Sequence, residues 1–192
     1  MDGVAPRVPK LLPDALSPQQ REVYDAIAGG RRAQGPQLFR LVDDEGGLEG
    51  PFNAFLLQPR LGLALQDVGS AVRYETTLSD RAREIAILIV SVHWDSAFEW
   101  YAHEAVGRHV GLADDEIEAL RAQRWDAFAG DEHVIARTTH LLAVDGDLDD
   151  TAYAEALAVL GEPGLFELLT LVGSYAALAL QLRVLRVPAP RP

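Results

Sequence analysis

Residues 85–92 (IAILIVSV) form an uncharged run that is apolar on nearly every face, and this run limits the possible folds more than any other stretch. A segment without a polar side has to be enclosed all round. Periodicity alone does not separate a buried helix from a buried strand. The flanks decide it. Ser79-Asp80 supplies an N-cap followed by an acid in the first turn, where free N–H groups favour negative charge. From that cap to the end of the run is too long for an ordinary strand. The expectation is a central helix with one acid, Glu84, set just before its apolar middle.

The rest of the chain reads as helices punctuated by proline and glycine. Residues 1–16 carry Pro6, Pro9 and Pro13 with little periodicity, which predicts an extended arm lying on the body or on a neighbouring subunit. Ser17-Pro18 starts a helix that Gly29-Gly30 stops. Residues 30–58 are predicted as loop with one or two short helices. Pro59 opens a helix through Tyr74, with Leu61, Leu65, Val68 and Val72 on its apolar stripe. After the central helix, Asp95 is expected to cap a helix over 96–109 that Gly111 ends. A short helix follows from 113 to about 123, then one over 131–144 with Val134, Thr138, Leu141 and Leu142 inward. A helix over 149–160 closes at Gly161, and Pro163 opens the last one, which stops before Val187-Pro188. No strand pattern competes, so the fold class is all-α: an arm (1–16), one helical domain (17–187) and a tail (188–192).

Composition excludes several function classes. The net charge of −12 opposes nucleic-acid binding, which depends on neutralising phosphates. With no cysteine, thiol nucleophiles, disulfides and thiolate-held metals are absent. The longest uncharged stretch, 168–182, is 15 residues, short of the ~20 a membrane-spanning helix needs. The N-terminus lacks a signal-peptide layout. These features predict a cytoplasmic protein with no membrane or nucleic-acid partner.

Ionisable and aromatic residues concentrate between Ser79 and Gly111. Ser96, Glu99 and His103, at spacings of three and four, lie within roughly 60° of one another on a helix. Glu99 and His103 are one turn apart and can hydrogen-bond, which suits proton transfer near neutral pH. Glu84, partly desolvated, can keep a proton. Ser96, in the first turn, places free N–H groups near an anion. An i,i+4 ion pair on a solvated face beside a locally satisfied acid is the blander account. Other sites fail on spacing. His103-Glu104 begins like a zinc motif, but His109 follows six positions later on another face. Glu99, His103 and His93 match no metal pattern. Asp145, Asp147 and Asp149 lack the glycine and glutamate of a calcium loop. Gly46-Gly47 has no phosphate-binding context, and no GxSxG elbow is present.

The segment RAREIAILIVSVHWDSAFEWYAHEAVGRHVGL (81–112) resembles the carboxymuconolactone decarboxylase and alkylhydroperoxidase-D-like (AhpD-like) superfamily, with supporting likeness at 7–27, 50–61 and 166–178. The resemblance implies an antiparallel all-α bundle assembling as a dimer, trimer or hexamer, with sites near subunit interfaces. In the peroxidase branch a relay glutamate precedes two cysteines and a histidine. Here Glu84 holds the relay position, Ser96 and Glu99 replace the cysteines, and His103 keeps the histidine. Without the dithiol, peroxide reduction is excluded on chemistry. The decarboxylase branch uses no cofactor and releases CO₂ from a β-keto-acid-like lactone. The implied enzyme is a cofactor-free, metal-free carbon–carbon lyase acting on a small carbonyl or lactone substrate. His103 would be the general acid/base, Glu99 would orient it and Glu84 would relay a proton. Ser96, Arg83, Trp94 and Trp100 are the expected substrate-binding residues. A cofactor-free cyclase, dehydratase or isomerase of a biosynthetic pathway, or a non-catalytic member of the family, are the alternatives.

Overall fold

The computed structural model describes residues 5–34 and 36–190. Eight α-helices carry the fold among them: α1 (Pro18–Ala28), α2 (Pro51–Phe55), α3 (Pro59–Tyr74), α4 (Asp80–His93), α5 (Ala97–His109), α6 (Asp114–Arg121), α7 (Gly130–Val144) and α8 (Asp150–Leu185). The only pairing of extended backbone among the described residues is an isolated antiparallel bridge, Val42 to Leu48.

Helix α4 is the axis of the bundle, in contact with α5, α6, α7 and α8. Its residues 82–91 are all buried. The apolar run reads this way because each of its faces meets a different neighbour. Ala86, Ile87 and Val90 pack with Ile135 of α7 and Leu168, Leu171 and Tyr175 of α8. Ile85, Leu88 and Ile89 pack with Ile117 and Leu120 of α6. At about 25 cal/mol per Å² of apolar surface, this enclosure is the main stabilising term of the domain. A separate cluster (Val23, Ile27, Leu41, Leu48, Phe52, Phe55, Leu56) holds α1 and α2 together. Arg81 ties α4 to α6 and α7 through Glu116 and Glu132, each at 2.8 Å.

The helix ends follow the local chemistry. Ser17 and Gln20 form a reciprocal capping box at α1, and Ser79 accepts the Ala82 N–H at α4. Gly161 interrupts α8 at φ 64, ψ 175, so its two arms are the helices expected on either side of that glycine. By length and composition α8 could cross a membrane. Its second arm instead buries Leu165, Leu168, Leu171, Tyr175 and Leu182 in the bundle, as a core helix does.

Three expectations about faces and caps change. Leu61 and Val68 of α3 are exposed, because α3 packs along α1 rather than along the stripe those residues define. On α7 Thr138 is buried and Leu142 packs on the core as expected, but the other buried positions are Ile135, Ala136 and Thr139, while Val134 and Leu141 are only half-buried. Asp95 does not cap α5. It takes φ 51 in the turn, and Ser96 is the N-cap residue, without a side-chain capping bond.

The described part of the N-terminal arm lies on this chain's own body. The Arg7 N–H donates to Leu185 O (2.9 Å), the Leu11 N–H to Asn53 Oδ1 (2.9 Å), and Lys10 pairs with Asp43 and Glu49.

Candidate active site

The α4–α5 hairpin builds the site. Trp94 closes α4, Asp95 turns the chain, and the Ser96 N–H donates to Ser91 O at 2.9 Å. The reversal brings together residues roughly equidistant from the turn, and Glu84 meets His103 across it. His103 Nδ1 and Glu84 Oε2 lie 2.6 Å apart, a short hydrogen bond that we assign to the tautomer with Nδ1–H as donor and the Glu84 oxygen as acceptor. Both side chains are buried, and the His103 ring stands edge-on to Tyr175 of α8 at 5.2 Å. The i,i+4 bond expected between Glu99 and His103 is not made. Glu84 is the residue that orients the imidazole.

His103 and Glu99 line a cavity of about 50 Å³ whose walls are mostly apolar, including Phe52, Phe55, Phe98 and Tyr175. Gly50 permits this wall. It sits at φ 59, and a Cβ there would lie 2.2 Å from the Phe98 ring. Behind the cavity runs a wider groove of about 410 Å³ lined by Arg31, Arg83, Glu84 and His109. Phe39, Arg32 and Arg73 line both spaces. The Glu84–His103 hydrogen bond therefore spans the wall, with the acid facing the groove and the imidazole facing the cavity.

The electrostatics divide the two acids. Glu99 is 3% exposed, and neither of its oxygens, nor Ser96 Oγ, reaches a hydrogen-bonding geometry among the described residues. Burial pushes the Glu99 carboxyl up to about 8, with the nearby Ser96 hydroxyl pulling weakly the other way. Glu99 is thus a neutral acid at pH 7. Burial also lowers His103 below the ordinary imidazole value; Glu84 opposes that shift, and Arg73 and Arg32 add to it. The imidazole is neutral at pH 7, with Nδ1–H committed to Glu84 and Nε2 left as a base. The Tyr175 hydroxyl is raised to about 12, chiefly by burial, and stays protonated. A neutral acid beside a neutral base, at the edge of an apolar cavity, is an arrangement for moving protons. Among the described residues no group of three or more His, Asp and Glu side chains has metal-holding geometry.

The other expected residues are dispersed. Ser96 is buried but does not line the cavity. Arg83 lines only the groove and is engaged by Leu78 O and Asp80. Trp94 packs into the α7–α8 core, and Trp100 donates its indole N–H to Glu104 Oε2 (2.7 Å) beneath Arg121. Both indoles lie off the cavity, because positions 94 and 100 fall on the far faces of the hairpin. Sequence reasoning missed Arg32, Arg73, Tyr175 and the phenylalanine wall. One signal was available for Arg73: it continues the Leu65, Gly69, Val72 face of α3, a cation on an otherwise apolar face.

No family model and no curated protein matches the chain. Solved structures do. A cysteine-to-alanine variant of the debrominase Bmp8, in complex with 2,3,4-tribromopyrrole, matches with a TM-score of 0.74 at 12% identity, over 98% of this chain and 94% of that one. Bmp8 without ligand gives 0.72 at 12% identity, over 94% and 90%. ATU0492 from Agrobacterium tumefaciens, described as a candidate antioxidant defence protein AhpD, gives 0.63 at 19% identity, over 73% and 97%. At these identities the likeness is one of fold: the chain shares the all-α architecture of Bmp8 and of the AhpD-like protein ATU0492, the fold class that the sequence predicts.

Proposed function

We propose that the protein is a cofactor-free acid–base enzyme acting on a small carbonyl or lactone substrate, with decarboxylation as its reaction. The observation that carries this reading is the 2.6 Å Glu84–His103 bond joining groove to cavity, with the unpartnered Glu99 acid on the cavity wall. In this scheme the C–C bond to a carboxylate breaks and CO₂ leaves. The electron pair passes onto the substrate's carbonyl oxygen as an enolate. Glu99 then delivers a proton to carbon and regains one from solvent as the product leaves, while His103, its Nδ1–H held by Glu84, presents Nε2 to the cavity as the base. Glu84 positions His103 through Nδ1, and the apolar wall keeps bulk water from the enolate. Ser96 and Arg83 serve at most at the margins of this site, and Trp94 and Trp100 support the helices that carry it.

The same reading makes the protein a cytoplasmic homo-oligomer. What supports assembly is the exposed apolar row on the second arm of α8: Phe166 (70% exposed), Leu169, Leu180 and Val184.

The test is a proton NMR assay with 4-carboxymuconolactone, comparing the parent with His103→Ala and His103→Gln. Conversion with loss of CO₂ by the parent and not by the variants is the expected result. The alanine variant leaves Glu84 without its partner, a loss of about 3–5 kcal/mol for a buried pair, so circular dichroism accompanies the assay. The glutamine variant keeps a donor toward Glu84. Turnover retained in either folded variant removes the mechanism. A product of unchanged mass would mean a cyclase or isomerase instead.

A further inference from the structure

Arg32 and Arg73 are the two residues of the throat that carry full charge. Both line the inner cavity and the outer groove. Neither has a carboxylate within ion-pair distance among the described residues, whereas Arg40, Arg81, Arg83, Arg108 and Arg137 all do. Arg32 is steered by neutral contacts: its Nε–H donates to Gln66 Oε1 at 3.1 Å, and its guanidinium lies 5.2 Å from the centre of the Phe52 ring. Its outer nitrogen rests against Gly69, where a Cβ would come within 2.7 Å. Arg73 is one turn further along α3, against Tyr175, and Glu84 reaches it only at longer range. Burial, with repulsion from Arg73 adding to it, holds Arg32 below the usual guanidinium range. Glu84 and Tyr175 favour the charge on Arg73 from longer range, but neither guanidinium has a carboxylate in ion-pair contact among the described residues, and both face the open spaces, so a bound anion can reach the two cations directly.

We propose that Arg32 and Arg73 form a carboxylate-binding site at the throat, so that the substrate carries a carboxylate that survives the reaction. This rests on the acid–base reading of the neighbouring cavity. The carboxylate docks between the guanidinium groups, the carbons next to it enter the phenylalanine-lined cavity toward Glu99 and His103, and any larger remainder lies in the groove. The bound carboxylate is not the one lost. Ion-pairing the departing group would stabilise the ground state more than the charge-dispersed transition state and slow its release.

The probes are butyrate and its neutral isostere butyramide, titrated into the isotopically labelled full chain and followed by backbone amide NMR shifts. Butyrate is expected to bind about tenfold or more tightly than butyramide, with shifts centred on residues around Gly69, Arg73 and Tyr175. Arg73→Gln should erase most of that preference. Gly69→Ala is the second variant: alanine is a better helix former than glycine, so α3 is retained, while the new methyl group displaces the Arg32 guanidinium and lowers the preference several-fold. Equal binding of the two probes, binding by neither, or a preference for butyrate that survives in both variants would overturn the proposal. Because binding is read without turnover, a retained preference alongside failed conversion of 4-carboxymuconolactone would count against the decarboxylase reading alone.

Discussion

The sharpest consequence of the site is a pH-dependent stability that belongs to one side chain. Glu99 is buried, has no hydrogen-bond partner among the described residues, and titrates near 8 rather than at the ordinary carboxyl value of 4.5. Between those pH values the unfolded chain has lost this proton and the folded protein keeps it, so ionisation favours unfolding and stability falls as pH rises. The gap corresponds to about 5 kcal/mol at 1.36 kcal/mol per pH unit, all of it expressed above pH 8 and none below 4.5. Glu99→Gln removes the titration and keeps the shape. Urea unfolding of both proteins from pH 5 to pH 9 should show the glutamine variant gaining steadily on the parent, by several kcal/mol across the series. His103 acts in the opposite sense. Its lowered value means stability rises with pH until about 6.5, but that contribution is common to both proteins and cancels in the comparison. A difference that stays flat with pH, within about 1 kcal/mol, would refute the claim that Glu99 is a neutral buried acid, and with it the proton donor of the proposed reaction.

Other outcomes follow from the packing and from the site. Activity should decline above about pH 8, as Glu99 loses the proton it donates, and a pH–rate profile checks this. Leu168→Ala, at a fully buried position facing Ile87 and Ile135, should cost about 2–5 kcal/mol in urea unfolding without moving the site's pH profile. Phe166→Glu should convert an oligomer to smaller species in light scattering coupled to size-exclusion chromatography while leaving the circular dichroism unchanged; an unaltered mass would remove the α8 row from the interface. Gly50→Ala should destabilise by about 2 kcal/mol or more, since it combines a positive φ with a clash against Phe98, and thermal unfolding reads it directly.

The absence of cysteine narrows what this copy of the fold can do. The positions that the resemblance aligns with the redox cysteines hold Ser96 and Glu99, and they have separated in role. Ser96 sits in the hairpin turn, off the cavity, while Glu99 lines the cavity as a neutral acid. The histidine and relay glutamate of the same resemblance remain in direct contact. Without thiols these residues cannot run dithiol chemistry, and proton transfer is the reaction proposed for them here.

Much of the architecture was legible in the chain itself, because helix ends are decided by neighbouring residues. Pro59, the Ser17–Gln20 box, Ser79 and Gly161 act through local backbone sterics and hydrogen bonds, and the helices begin and break where those residues stand. The enclosure of α4 was equally plain, since IAILIVSV has no face that water would tolerate. Of the candidate site, the chain showed that Glu84, Glu99 and His103 belong near one another, but neither their wiring nor the rest of the lining. Spacing suggested that Glu99 would hold His103, because residues four apart share a helix face. Only the antiparallel packing of α5 on α4 decided that Glu84, nineteen positions away, takes that bond and leaves Glu99 free. The same packing turned Trp94 and Trp100 outward from the cavity and brought Arg32, Arg73 and Tyr175, from three distant stretches, to its mouth. Local preferences set where each helix starts and stops; which side chains face one another depends on the rotation and crossing of whole helices, which only the closing of a shared core determines.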